Sequence, residues 1–234
     1  NGANKAMEWS VKALGLAVKN NVQIINYSGG GTSPIEEERQ ILLEAERKGI
    51  LVVVAAGNER DNLNLPHKTY YPCSYKLSNI ICVGNLTEDD KVAVTSNKGK
   101  KQVDVFAPGS QILSTGLGQG YTYLTGTSQA TAFISGLAAL IYSHDKTLNY
   151  MEVKDIILRS TSTPLKSLKE QSLADGKIDA YLALQKTEEL IMIKNKVNEM
   201  QKNEFYVFET LNKTSVKYSR GVSAINSSSS ENGH

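Results

Sequence analysis

Cysteine is scarce in this chain. Its 234 residues include only Cys73 and Cys82, too few for a disulfide framework or a thiolate metal site. Buried thiols are the commoner state of such residues, so two free cysteines are expected, with a single bridge as the alternative. An excess of charge of one sign is lacking too. Lys+Arg 26 against Asp+Glu 24 leaves no surplus to neutralise a phosphate backbone, so nucleic acid is not expected as a partner. The longest wholly apolar run, Ile50 to Ala56, is far short of the roughly 20 residues that a membrane-spanning helix needs. No initiator methionine and no signal peptide open the chain. Asn1 therefore reads as a processed or truncated start, and the compartment stays open. What remains, with 40% hydrophobic and 21% charged residues, is a globular chain sized for one α/β domain, alone or with an appendage.

Met7, Val11, Leu14 and Val18 recur at helical spacing, flanked by Ala6, Ala13 and Ala17, and predict a helix ending near Asn20-Asn21. Val22 to Ser28 reads as a strand running into Gly29-Gly30-Gly31. Ser33-Pro34-Ile35-Glu36 combines a capping box with a proline at the first helical position, predicting a helix from there to Lys48, stopped by Gly49. Ile50 to Ala56 is the pattern of a strand covered on both faces. Helix, strand, helix, strand at this spacing implies parallel strands joined by crossover helices: an α/β fold, mostly parallel sheet with helices on both faces. Ligands of such sheets sit beyond the carboxyl ends of the strands, which singles out the loops at Ser28–Gly31 and Gly57-Asn58.

Further along, Asn79–Gly84 and Val103–Phe106 read as short buried strands. Ile112–Thr115 and Tyr121–Leu124 read as a hairpin. Ala130–Tyr142 is an apolar helix, Asn149 and Glu152 form a capping box for another through about Leu158, and a last helix begins near Asp179. Composition changes beyond about Lys186. Leu190 to Met200 can continue a helix, Phe205 to Leu211 is strand-like without a clear partner, and Ser227 to His234 has nothing to bury and is expected to be disordered. The division is thus residues 1–186 as the domain and 187–234 as an extension.

Three places could carry chemistry. Gly126-Thr127-Ser128 abuts the apolar helix, so Ser128 sits where helix N–H groups are unpaired; it can attack as a nucleophile or merely cap the helix. Asn58, just past a buried strand, can aim its amide at an anionic oxygen or simply tolerate a difficult turn. Ser28 to Gly31 leaves its backbone accessible to a peptide added as a strand, or is a flexible loop. Taken together, a nucleophile, an oxyanion donor and a peptide-docking edge are parts of an acyl-transfer enzyme.

With those residues in view, the chain resembles the subtilisin-like serine peptidases, or subtilases, over roughly Asn1 to Lys186. Gly126-Thr127-Ser128-Gln129-Ala130-Thr131 is similar to the family's nucleophile motif Gly-Thr-Ser-Met-Ala-Thr, and Ala55-Ala56-Gly57-Asn58-Glu59 to its oxyanion-hole segment. Asn26-Tyr27-Ser28-Gly29-Gly30 resembles the substrate-binding strand Asn-Met-Ser-Leu-Gly. Tyr71–Tyr75, Ile80–Gly84, Ala107-Pro108-Gly109, Ile112–Thr115 and Asp175–Ala180 resemble spacer segments in the same order. The resemblance implies that Ser128 attacks the peptide carbonyl while Asn58 and the Ser128 N–H hold the oxyanion. It also implies that Ser28, Gly29 and Gly30 bind the substrate backbone. The side-chain pocket would lie between these and Ala55-Ala56-Gly57, with Glu59 at its rim and Cys73 near its floor, and a rim carboxylate would favour a basic residue. No cofactor is assignable; structural calcium and a secreted or cell-envelope location are family-level expectations.

The chain also departs from the family. No Asp-Thr/Ser-Gly and no His-Gly-Thr-His segment is present, and none of His67, His144 and His234 matches the position of the family's base. A serine hydroxyl without a base is a poor nucleophile at neutral pH, so this chain alone is expected to be inactive. The leading expectation is a serine endopeptidase acting on peptides or proteins whose Asp and His come from an N-terminal fragment. The alternative is an inactive subtilase-like protein that binds peptides or regulates a partner protease. Gly29, Ala132 and Phe133 replace residues usual in the family and favour that alternative.

Overall fold

Seven consecutive apolar residues can be buried only from both sides, and the segment from Ile50 to Ala56 lies in the middle of the fold. The computed structural model describes residues 2–118, 120–162 and 166–202. Its strands β1 (Ile24–Tyr27), β2 (Leu51–Ala55), β3 (Ile80–Leu86) and β4 (Val105–Pro108) form one sheet in the order β1-β2-β3-β4. All three pairings are parallel, with Ile25 opposite Val52, Val53 opposite Ile81 and Val83 opposite Val105. Every residue of β2 and β3 is buried.

Alternation along the strands divides the core into two layers. Val52, Val54, Ile80, Cys82 and Phe106 cluster with Leu14 and Val18 of helix α1 (Gly2–Lys19) and Leu42 and Ala45 of helix α2 (Glu36–Arg47). Helix α3 (Thr127–His144) packs across all four strands from the other side, burying Ile134, Leu137, Ala138 and Ile141. Gly84 supplies the room for the Phe106 ring: a Cβ there would overlap the aromatic carbons. Strands β5 (Ile112–Thr115) and β6 (Tyr121–Leu124) form the antiparallel hairpin that leads into α3. Helix α4 (Tyr150–Arg159) follows it, opened by the reciprocal Asn149–Glu152 capping box. The chain divides into two compact units, Asn1–Thr187 and Glu188–His234. In the first, residues 180–187 are helical and the Asp179 carboxylate accepts from the Leu182 N–H at 2.9 Å; in the second, residues 188–202 are helical. No described helix is long and apolar enough to cross a membrane. The strand-like Phe205–Leu211, the tail from Ser227 and His234 lie outside the described residues.

Three local expectations are corrected. Cys73 and Cys82 are joined in a disulfide, with Cα atoms 5.3 Å apart, because the turn at Cys73–Tyr75 folds back onto β3. Strand β4 begins at Val105, two residues after the predicted Val103. Helix α2 begins at Glu36 rather than at Pro34, with Ile35 as its N-cap and no side-chain cap. The Tyr75 hydroxyl, forty residues away, takes the role expected of Ser33: it accepts from the Ile35 N–H and donates to the Ile35 carbonyl, both at 2.9 Å.

One acidic residue of α2 is buried behind the strand that leads to the site. Glu38, 3% exposed, accepts from the Tyr27 hydroxyl at 2.9 Å. Burial pushes its carboxyl above the ordinary range, against the opposing pull of the Tyr27 and Tyr75 hydroxyls. A raised carboxyl pKa means that the folded state holds this proton more tightly than the unfolded chain. The stabilisation is therefore full below the unfolded pKa and is lost as pH rises through the folded one. Glu38→Gln should flatten the fall in stability on the alkaline side of the usual carboxylate range. One proton contributes a slope of at most about 1.4 kcal/mol per pH unit. Urea unfolding at stepped pH measures it; parallel curves for the two proteins would refute the assignment.

Candidate active site

The parallel sheet brings the ends of β1, β2 and β4 to one edge, and the N-terminus of α3 meets them there. Gly126 donates its N–H to the Gly109 carbonyl at 2.8 Å, tying the start of α3 to the segment that follows β4. Gly126 is the N-cap of α3, with no side-chain cap. Ser128 is thus the second helical residue, not the cap, and its hydroxyl is free for other work. The first four N–H groups of a helix have no intrahelical acceptor. Thr127 donates instead to Asn58 Oδ1 at 3.0 Å, and Gln129 and Ala130 donate to the Gly126 carbonyl at 3.2 and 3.4 Å. This leaves the Ser128 N–H without a protein acceptor among the described residues, at the positive end of the helix dipole.

Thr127 is the hinge of the arrangement. It is fully buried; its hydroxyl donates to Asn58 Oδ1 at 3.3 Å and accepts from the Gly57 N–H at 3.2 Å. Both donors on Thr127 point at the same Asn58 atom, so that atom is the carbonyl oxygen. The Asn58 NH₂ therefore faces away from Thr127, and Asn58 itself is exposed. Gly57 has φ +97°, a conformation that glycine adopts without strain and that turns the chain out of β2 towards α3. Asn97, 1% exposed, braces this turn from below. Its side chain donates to the Ala56 carbonyl at 2.8 Å and to Glu59 Oε2 at 2.6 Å, and accepts from the Glu59 and Asp61 N–H groups at 3.2 and 2.8 Å. Nothing in the sequence around Asn97 marks it for this role. Glu59, which is exposed, is correspondingly bonded to Asn97 through one carboxylate oxygen.

Ser28 and Ser128 are joined reciprocally. Ser128 Oγ donates to the Ser28 carbonyl at 3.1 Å, and Ser28 Oγ donates to the Ser128 carbonyl, also at 3.1 Å. Behind them Asn26 donates to Ser28 Oγ at 3.0 Å and accepts from Ser135 Oγ of α3 at 2.8 Å. Ser28 and Gly30 are exposed, whereas Gly31 is already paired with Tyr71 through two backbone bonds of 3.0 and 2.8 Å. The accessible backbone is thus Ser28 to Gly30. Beside Ser128, a groove of about 650 Å³ runs between α3 and β5, lined by Ile112, Ala132, Phe133, Gly136 and Leu140.

The fold therefore gathers Ser128, Asn58, Ser28, Gly29, Gly30, Ala56 and Gly57 at one edge and leaves the two described histidines elsewhere. His67 and His144 are exposed. His144 closes α3, about 24 Å from Ser128 along the axis at 1.5 Å per residue. No described histidine bonds to Ser128. Chemically, the cluster presents a hydroxyl, two outward N–H donors and a free backbone edge.

A profile of the Subtilase family matches residues 1–208. The chain is 38% identical to the major intracellular serine protease of Bacillus subtilis (strain 168) over 139 residues, 59% of this chain and 43% of that protein. It is 36% identical to subtilisin E of the same organism over 157 residues, 67% of this chain and 40% of that protein. The chain thus spans about two fifths of the length of these curated relatives. Among solved structures, the prenylagaramide maturation protease PagA superposes with a TM-score of 0.65 at 28% identity, covering 75% of this chain and 66% of that one. A point mutant of the protease domain of PatA gives 0.66 at 25% identity, covering 76% and 64%.

Proposed function

We propose, from the premise that this chain belongs to the subtilase family, that it carries the nucleophile and oxyanion donors of a serine endopeptidase. The observation that carries this reading is the lock between Thr127 and Asn58, which turns the Asn58 NH₂ away from Thr127, the residue before Ser128. A peptide laid along Ser28 to Gly30 brings its carbonyl to that point. Ser128 Oγ bonds to the carbonyl carbon as its proton passes to a histidine base. Asn58 and the Ser128 N–H bear the oxyanion, and the amine leaves with the proton from the histidine. Water then releases the acyl group by the same route.

The base and its Asp come, in this reading, from an N-terminal segment or separate chain. Two surfaces suit it: the outer edge of β1, which among the described residues has a strand on one side only, and the apolar groove beside Ser128. Substrates are peptides or proteins. Structural calcium, implied by the family resemblance, has no support from the described residues, among which no three His, Cys, Asp or Glu side chains gather to hold an ion; no step runs through it.

One observation favours the second reading, an inactive peptide-binding relative: Ser128 Oγ spends its proton on the Ser28 carbonyl. A fluorophosphonate probe separates the two. Co-expressed with the segment encoded upstream of Asn1, the chain should be labelled at Ser128. A folded, assembled complex that takes up no label would establish the inactive reading instead.

A further inference from the structure

We propose that Tyr70 determines the side-chain preference of this site, closing the slot next to the scissile bond so that only glycine, alanine or serine fits on the acyl side. This rests on the peptide-binding reading of Ser28 to Gly30. A substrate paired with that edge, its carbonyl at Ser128, directs the preceding side chain between the ends of β1 and β2. The walls there are Ser28–Gly30 and Ala55–Gly57. Neither Gly30 nor Gly57 brings a side chain into the slot, so both leave it wide. The Tyr70 ring fills the width. A Cβ on Gly30 would lie 2.6 Å from Tyr70 Cε1, with the Tyr71 carbonyl nearer still, and one on Gly57 would lie 2.7 Å from Tyr70 Cδ2, with Glu59 Oε2 and Asn97 Nδ2 nearer still. Those two carbons are opposite corners of one ring, so the ring reaches from wall to wall.

The ring is held in place. Tyr70 is 8% exposed. Its N–H donates to Ser74 Oγ and its carbonyl accepts from the Ser74 N–H, both at 2.9 Å. The next residue, Tyr71, is paired with Gly31 on the same wall. Burial, with Glu59 close by, holds the phenol above its ordinary pKa and so neutral. Glu59 is bonded to Asn97 at 2.6 Å, and the ring leaves no depth for a long basic side chain beside it, so steric exclusion sets the preference. This replaces the expected choice of a basic residue.

The test uses the full-length protein and peptides that differ only in the residue before the scissile bond. With wild type, kcat/KM for alanine should exceed that for phenylalanine at least about 10-fold, since a tight pocket discriminates about 10–200-fold per methylene. Tyr70→Gly should shift that ratio towards phenylalanine by a similar factor, while Tyr70→Phe, which keeps the ring, should leave it unchanged. The wild-type ratio needs no variant, so a Tyr70→Gly protein that fails to fold does not spare the proposal. Equal rates for alanine and phenylalanine in wild type would overturn it. Fluorophosphonate labelling of the same samples reports separately on catalysis. If no label and no turnover appear, fluorescence-polarisation binding of the same peptides decides. Alanine binding above phenylalanine, inverted in Tyr70→Gly, supports the slot without catalysis; equal binding, or none, overturns it.

Discussion

On the proposed reading, Ser128→Ala should lower kcat of the assembled protein by about six orders of magnitude, a size taken over from the nucleophile of subtilisin, a member of the same family. The structural cost of the substitution is small. Ser128 Oγ makes one bond, to the Ser28 carbonyl, and a neutral hydrogen bond contributes about 0.5–1.5 kcal/mol net. The neighbouring bond from Ser28 Oγ to the Ser128 carbonyl does not involve the side chain and persists. Peptide binding and unfolding midpoint should therefore change little while turnover disappears. In the chain on its own, an unactivated hydroxyl contributes almost nothing, so the same substitution should leave the background rate unaltered. Comparing the two preparations by steady-state hydrolysis of one peptide tests both halves. A large loss in the isolated chain would contradict an externally supplied base.

Asn58 offers the second large effect, and two substitutions dissect it. Asn58→Ala removes the oxyanion donor and the brace on Thr127 together. Asn58→Asp keeps an oxygen for the Thr127 N–H and hydroxyl but replaces the NH₂ with a second acceptor. Both should lower kcat by about 10²–10³, or about 2.7–4 kcal/mol of transition-state stabilisation, the range known for the corresponding donor of subtilisin. KM should hardly move, because the donor acts on charge that develops only in the transition state. Thermal unfolding should separate the variants: Asn58→Ala lowers the midpoint, and Asn58→Asp does so less. If Asn58→Asp retained wild-type kcat, the amide would be a structural brace and the oxyanion role would fall.

These effects depend on residues far apart in the chain, and that distance explains what could be read without coordinates. The helix at Met7 to Val18, the buried strand at Ile50 to Ala56, the hairpin and the Asn149–Glu152 capping box were legible because each is written in neighbouring residues: a period, a run, a cap four residues long. The α/β order followed from their alternation. The motifs around Ser128 and Asn58 are likewise contiguous, and their match to the family was legible for that reason.

Where a partner comes from elsewhere, local signals misled or were silent. The capping box at Ser33 was the stronger pattern, yet Tyr75 holds the start of α2. The fate of Cys73 and Cys82 depended on a turn folding back onto β3, which no spacing encodes. Asn97 gives no hint in sequence that it carries the turn beneath Asn58. Tyr70 reads as one of eleven tyrosines until two glycines in the loops that follow β1 and β2 meet its ring. The sequence by itself determined the fold class, the family and the two motifs, since short-range periodicity and contiguous residues carry them. Only the tertiary structure decided that Thr127 aims Asn58 outward, that Ser28 pairs with Ser128 and that the Tyr70 ring lies against Gly30 and Gly57. Those contacts join segments tens of residues apart, and the closing of the sheet, not any local preference, brings them within a hydrogen bond or a van der Waals radius.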